Sequence, residues 1–197
     1  MKGLSKKEIE ILLVLLKNQT MDYNSNNIAK TINITPAGAF KAMKKLEKKN
    51  LILGKRMGKA IFYKINLKDY YAFRIMETLL INEARGNASR WIFEFEELYK
   101  YVDIIIIFGS IIKNPKKAND IDLLIVFKKE RNDIIKDIIK NKRLVLTRPI
   151  HLIKQLPREL ITNLKRKDKV ILEALKYGYV LHGYDKLLKS IKNVTSI

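Results

Sequence analysis

The stretch IIIIFGSIIKNPKKANDIDLLIV, residues 104–126, constrains the fold more than any other part of the chain. Its two ends, 104–108 and 121–127, are short and almost wholly apolar, and they are predicted to be strands of a buried sheet. Gly109 and Ser110 end the first run, and Asp120 and Asp122 open the second. Residues two apart on a strand project from the same face. Both carboxylates therefore stand together at the start of an apolar run, where burying a charge without a partner is costly. Such a pair implies a chemical reason for its placement.

From residue 103 onward strand-like and helix-like patterns alternate. A helix is expected over 130–140, a third strand over 144–153 (LVLTRPIHLI), helices over 157–164 and 169–177, and a short extended piece over 179–182. Glu130, Asp133 and Asp137 fall at spacings that put them on the solvated side of the first of these helices.

The first third reads differently. Ser5 and Glu8 form a capping-box pattern, and Ile9, Leu12, Leu13 and Leu16 follow at helical spacing. A polar loop is expected over 18–24 and a second helix over 25–31, with Ile28 and Ala29 inward. Thr35 can cap a third helix whose first position is Pro36, where the missing N–H costs nothing. Asn50, a residue that tolerates the left-handed conformation, stands at that helix's end. Two β-rich runs, 51–55 and 60–65, flank the basic turn Arg56-Met57-Gly58-Lys59. On the third helix Ala39, Met43 and Leu46 share one face, while Thr35, Ala37, Gly38, Lys41, Lys44 and Lys45 lie largely on the other. Phe40 sits at the boundary. Residues 68–100 read as two helices with a break near Gly86-Asn87.

Charge follows the same division. The chain carries 40 Lys and Arg against 20 Asp and Glu, a net of +20. Residues 1–67 hold 14 basic and 4 acidic residues, so the N-terminal third is about twice as densely charged as the rest. A Lys- and Ile-rich composition accompanies AT-rich genomes, which accounts for part of the total but less of the asymmetry. The excess fits a polyanionic partner. There is no cysteine, which excludes disulfides and thiolate metal sites. The only histidines, His151 and His182, are far apart in sequence and do not suggest a His-based zinc site. The apolar runs are too short to span a bilayer, and Glu8 and Glu10 oppose a signal peptide. The expectation is a cytoplasmic protein with no membrane partner.

Three short helices and a basic hairpin over residues 4–66, carried by TPAGAFKAMKKLEKKNLI and LILGKRMGKAIFYKI, resemble the winged helix-turn-helix family. The resemblance implies a third helix in the major groove of double-stranded DNA and a wing against the backbone or minor groove. It assigns DNA contacts to Thr35, Ala37, Gly38, Phe40, Lys41, Lys44 and Lys45 on the helix and to Lys55, Arg56 and Lys59 on the wing.

The motif at 104–126 resembles the signature of minimal polymerase-β-type nucleotidyltransferases, over about residues 101–190. The resemblance implies phosphate binding at Gly109 and Ser110, and Mg²⁺ with ATP or another nucleoside triphosphate on Asp120 and Asp122, the catalytic carboxylates. Active members carry a third carboxylate on the next strand. Here LVLTRPIHLI has none, and His151 occupies the corresponding position.

The reading is an α+β chain: a winged helix-turn-helix domain (1–67), a helical linker or dimerisation segment (68–100) and a nucleotidyltransferase-fold domain with a small mixed sheet (101–197). The expected function is a homodimeric DNA-binding transcription regulator whose second domain binds Mg-nucleotide. The alternative is an active nucleotidyltransferase that moves NMP onto a protein or other hydroxylated acceptor, as an antitoxin would.

Overall fold

The computed structural model describes residues 3–18 and 21–195; positions 19 and 20 of the expected 18–24 loop fall outside them. The chain divides into two compact units, Met1–Leu79 and Leu80–Ile197.

In the first unit, α1 (Lys6–Lys17), α2 (Ser25–Thr31) and α3 (Pro36–Lys48) precede the hairpin of β1 (Ile52–Met57) and β2 (Ala60–Ile65). Each helix starts on the signal the sequence offers. The Ser5 N–H donates to Glu8 Oε2 at 2.7 Å, and the Glu8 N–H donates to Ser5 Oγ at 3.2 Å. Asn24 and Asn27 make the same reciprocal pair at the head of α2. Thr35 Oγ1 accepts from the Gly38 N–H, and Pro36 opens α3. Asn50 ends α3 at φ 58°, in the left-handed region expected of it. The hairpin pairs Ile52 with Ile65 and Met57 with Ala60, and Gly58 turns it at φ 60°. The main chain of Tyr23 bridges to Tyr63 and ties the α1–α2 connection to β2. The core holds Ile11, Leu12, Leu16, Ile28, Ala29, Ala39, Met43, Leu46 and Ile52, all buried. This helix–helix–helix–wing order is the winged helix-turn-helix architecture.

An 18-residue helix, α4 (Tyr70–Asn87), runs across the boundary between the units. After it come α5 (Ser89–Glu94) and a short 3-10 turn over Glu96–Lys100. Phe95 and Leu98 are fully buried in the same core cluster as the strands that follow.

The second unit is built on a four-stranded sheet in the order β5-β4-β3-β6. β3 (Ile104–Phe108) pairs antiparallel with both β4 (Ile121–Val126) and β6 (Tyr179–His182). β5 (Ile150–Gln155) pairs parallel with β4 and forms one edge. α6 (Ser110–Lys113) lies between β3 and β4, and α7 (Asn132–Val145) between β4 and β5. α8 (Pro157–Lys165), α9 (Lys169–Tyr177) and α10 (Tyr184–Thr195) complete the unit. Ile105, Ile107, Leu123 and Ile125 pack with Ile135, Ile138 and Ile139 of α7. α8, α9 and α10 also pack on the sheet, against β5 and β3. Both faces are thus covered, which is why the central strands are almost wholly apolar.

The third strand begins later than expected. Leu144 and Val145 finish α7, with 80% and 73% exposure, and the strand starts only at Ile150. An apolar run marks a strand only when something buries it, and nothing in the unit covers these two side chains.

Candidate functional site

Two sets of residues singled out by the sequence are brought together, one in each unit. In the first, Thr35, Ala37, Gly38, Lys41, Lys44 and Lys45 are exposed along α3, and Phe40 is exposed as well, at 48%, rather than packed beneath. Lys55 and Arg56 on β1 and Lys59 at the turn are exposed too. Phe40 and Lys59 meet at a groove of about 210 Å³ that is also lined by Asn24, Ser25 and Asn26 at the head of α2 and by Tyr63 of β2. The asparagines were overlooked as surface candidates; the polar run Asn24-Ser25-Asn26-Asn27 was the available signal.

The lysines of α3 differ in what they touch. Lys44 Nζ donates to Glu47 Oε2 at 2.7 Å, and that bond raises the Lys44 pKa. Lys45 Nζ stands 3.0 Å from Glu8 Oε1, whose side chain is only 2% exposed. Burial alone would push the Glu8 carboxyl up. The Ser5 N–H and Lys45 outweigh that and hold it below its ordinary value. Lys45 is therefore the counter-ion of a buried carboxylate as well as a surface cation.

In the second unit the candidate centre forms where β3 ends and β4 begins. Phe108 pairs with Asp122 in the antiparallel register, so the corner at Gly109 lies beside the Asp122 side chain. Gly109 has φ 77°, and a Cβ added there would overlap the Asp122 carboxylate. Glycine is required at this position by both backbone conformation and space. Ser110 follows, exposed, at the first residue of α6. Asp120 and Asp122 are half-buried.

β5 supplies the third group. Its parallel register sets His151 opposite Asp122, with Nδ1 2.9 Å from Asp122 Oδ1. One donor atom from each of Asp120, Asp122 and His151 lies within 4.8 Å of the others, and His151 is exposed. Two carboxylates and an imidazole at this spacing fit a divalent cation. The oxygens suit Mg²⁺; the nitrogen is not a donor that Mg²⁺ favours. Asp120 and Asp122 converge as expected, and His151 stands where the third carboxylate was sought. Of the spacer lysines, Lys113 bonds Glu173 at 3.1 Å and lies 4.4 Å over the Tyr177 ring. Glu130, Asp133 and Asp137 are exposed, away from the cluster's donor set.

A mixed sheet with a Gly-Ser corner and an Asp-x-Asp strand defines a nucleotidyltransferase-type domain. Residues 92–186 match the family model described as polymerase beta, nucleotidyltransferase. No curated protein matches the chain. Among solved structures, it aligns with Lactococcus lactis ZitR, described as a zinc-responsive MarR family member, at 18% identity and a TM-score of 0.33. That alignment covers 71% of this chain and 74% of the other. The adhesin competence repressor AdcR from Streptococcus pyogenes aligns at 15% identity and a TM-score of 0.35, covering 71% of this chain and 77% of its own. Likeness at this level decides nothing about ligand or partner. Among the described residues, no helix is long and apolar enough to cross a membrane.

Proposed function

We propose that the chain is a DNA-binding transcription regulator whose nucleotidyltransferase domain binds a metal–nucleotide. The carrying observation is that α3 and the hairpin together expose Lys41, Lys44, Lys45, Lys55, Arg56 and Lys59. Small residues at the head of α3, Ala37 and Gly38, let the helix approach base edges, and Phe40 is free to meet a thymine methyl. Thr35 keeps its hydroxyl proton for a phosphate while its oxygen caps the helix. We place the homodimer contact in the 68–100 segment, where Tyr70 and Tyr71 of α4 are 74% and 61% exposed.

In the second domain Gly109 and Ser110 would face the phosphates, and Asp120 and Asp122 would hold the divalent cation that screens them. The cation would supply charge neutralisation of the triphosphate. Transfer asks for more, a base for the acceptor hydroxyl, and general-base catalysis is worth about 10²–10⁴-fold. The convergence of Asp120, Asp122 and His151 favours a second reading, slow NMP transfer onto a protein or other hydroxylated acceptor, in the manner of an antitoxin.

The test of the first reading is DNA affinity across a salt series for the full chain and for Lys41→Ala/Lys55→Ala/Arg56→Ala/Lys59→Ala. Lys45 is left in place because it also neutralises Glu8. Each lost phosphate contact flattens the log–log salt slope by about 0.9, so the expected change is about 3–4 units, with weaker binding to every duplex. An unchanged slope sinks the reading. Labelling of an acceptor by radioactive ATP that depends on Asp120 and Asp122 promotes the second.

A further inference from the structure

We propose that His151 turns the centre of the second domain away from Mg²⁺ and makes it a site for a borderline divalent ion of the first transition series, in the range Mn²⁺ to Zn²⁺. The proposal rests on the reading of Asp120 and Asp122 as a metal centre and names the ion that centre takes.

β4 and β5 run parallel, and their pairing sets Asp122 directly beside His151. Asp120, in the bend just before β4 begins, brings a carboxylate oxygen to the same point. The three side chains thus reach one point, with donor atoms within 4.8 Å of one another. The 2.9 Å contact between Nδ1 and Asp122 Oδ1 fixes the ring over the carboxylates.

The donor set then selects the ion. Mg²⁺ is small and hard, demands near-octahedral oxygen coordination and parts reluctantly with its water. Imidazole nitrogen suits zinc and its transition-series neighbours, and carboxylate oxygen binds them as well. A strand carrying Asp or Glu at 151 would complete an all-oxygen site; this chain places a nitrogen there instead. Sequence separation had argued against a histidine-based site, yet one histidine joined to two nearby carboxylates is enough. His151 has a side chain 64% exposed, so the centre stays open on one side for water or for phosphate oxygens.

The test compares the full-length protein with His151→Asp, His151→Ala and Asp120→Asn/Asp122→Asn. Binding of Mg²⁺, Mn²⁺, Co²⁺ and Zn²⁺ is measured by calorimetry, and bound Co²⁺ is read by its visible absorption. Because transition ions outbind Mg²⁺ at most sites, the decisive quantity is the ratio of Zn²⁺ to Mg²⁺ affinity. His151→Asp is expected to lower that ratio by about tenfold or more and to change the Co²⁺ spectrum, whereas His151→Ala, which removes the nitrogen ligand, weakens Zn²⁺ more than Mg²⁺. Asp120→Asn/Asp122→Asn should bind neither ion. A ratio unmoved by His151→Asp overturns the assignment of the ion and leaves the metal–nucleotide reading standing. Absence of binding by any divalent ion, in His151→Asp as well as in the native chain, overturns both.

Discussion

The two units of this chain use charge in opposite ways. The first displays cations on a helix and a hairpin, with Lys41, Lys55, Arg56 and Lys59 all exposed, and the buried acid Glu8 is held inside by Ser5 and Lys45. The second gathers two acids and a histidine at the end of a buried sheet and opens them on one side. An exposed cation tolerates a loose environment, because a phosphate can be met from many rotamers. Convergent ligands do not, since each must be set by backbone register. The difference teaches where each unit is vulnerable: surface substitutions should tune the first, whereas a single backbone position should decide the second.

The largest effect is expected from Gly109→Ala. The new Cβ would overlap the Asp122 carboxylate, and φ 77° is unfavourable for an L-residue. With ψ −154° the residue lies in a region nearly confined to glycine, which alone costs about 1–3 kcal/mol, and with the displacement of Asp122 we expect a loss of about 3 kcal/mol in the second unit. Urea unfolding followed by the fluorescence of Trp91, the one tryptophan, reads it. Adding Asp122→Gly should recover the steric part and leave the backbone part, a non-additivity diagnostic of contact. If Gly109→Ala and Asp122→Gly simply add, the corner is not packed as described.

Much of the fold was legible because it is specified locally. Ser5, Thr35, Pro36, Asn50 and Gly58 each act within a few residues, and each does what its type permits. The strands at Ile104–Phe108 and Ile121–Val126 were legible because burial on both faces leaves a nearly unbroken apolar run. The misplacement of the β5 start came from the same rule: Leu144, Val145 and Leu146 look like strand, but they complete the last turn of α7 and its exit. Non-local pairings were legible only where the family resemblance supplied them. It set His151 on the strand beside the two carboxylates, where Asp122 meets it across 29 residues, but nothing announced that Lys45 meets Glu8 across the α1–α3 packing. No periodicity within either element carries that information.

In the first unit Lys45→Ala should have a smaller effect. It strips the ion-pair partner from a carboxylate that is only 2% exposed, while the Ser5 N–H continues to serve it. Removing a partner from a fully buried pair costs several kcal/mol, but the Lys45 side chain is 57% exposed and water screens the interaction. We expect about 1 kcal/mol, measured by hydrogen exchange of α1 and α3, and Glu8→Gln in the same background should recover part of it. Lys41→Ala, which weakens DNA binding under the same proposal, should leave exchange unchanged. Equal protection losses for Lys41→Ala and Lys45→Ala would refute the separate duty assigned to Lys45.

Acid provides the gentlest probe, and the two units should answer it at different pH. In the second unit, burial holds the His182 imidazole below its ordinary value of 6.5; nearby Lys186 acts in the same direction, and Asp185 and Asp103 oppose it. Its ring stacks on Tyr99 with centroids 4.5 Å apart, an arrangement that suits the neutral form. A folded pKa below the unfolded one means that the unfolded chain binds more protons. The stabilising contribution of His182 is therefore complete above pH 6.5 and is lost as pH falls through the lower folded value. Glu8 in the first unit has the same sign, but its ordinary value is 4.5. Its contribution persists through the range in which that of His182 disappears and declines only in stronger acid. Peptide-resolved hydrogen exchange, corrected for the intrinsic pH dependence of exchange, should show protection in β3 and β6 falling first as pH drops below 6.5, with α1 and α3 following below 4.5. His182→Phe keeps an aromatic ring against Tyr99 and cannot titrate, so it should flatten the first decline and leave the second. If α1 loses protection together with β6 in native protein, or if His182→Phe retains the full decline, the separate titration of the two units is wrong.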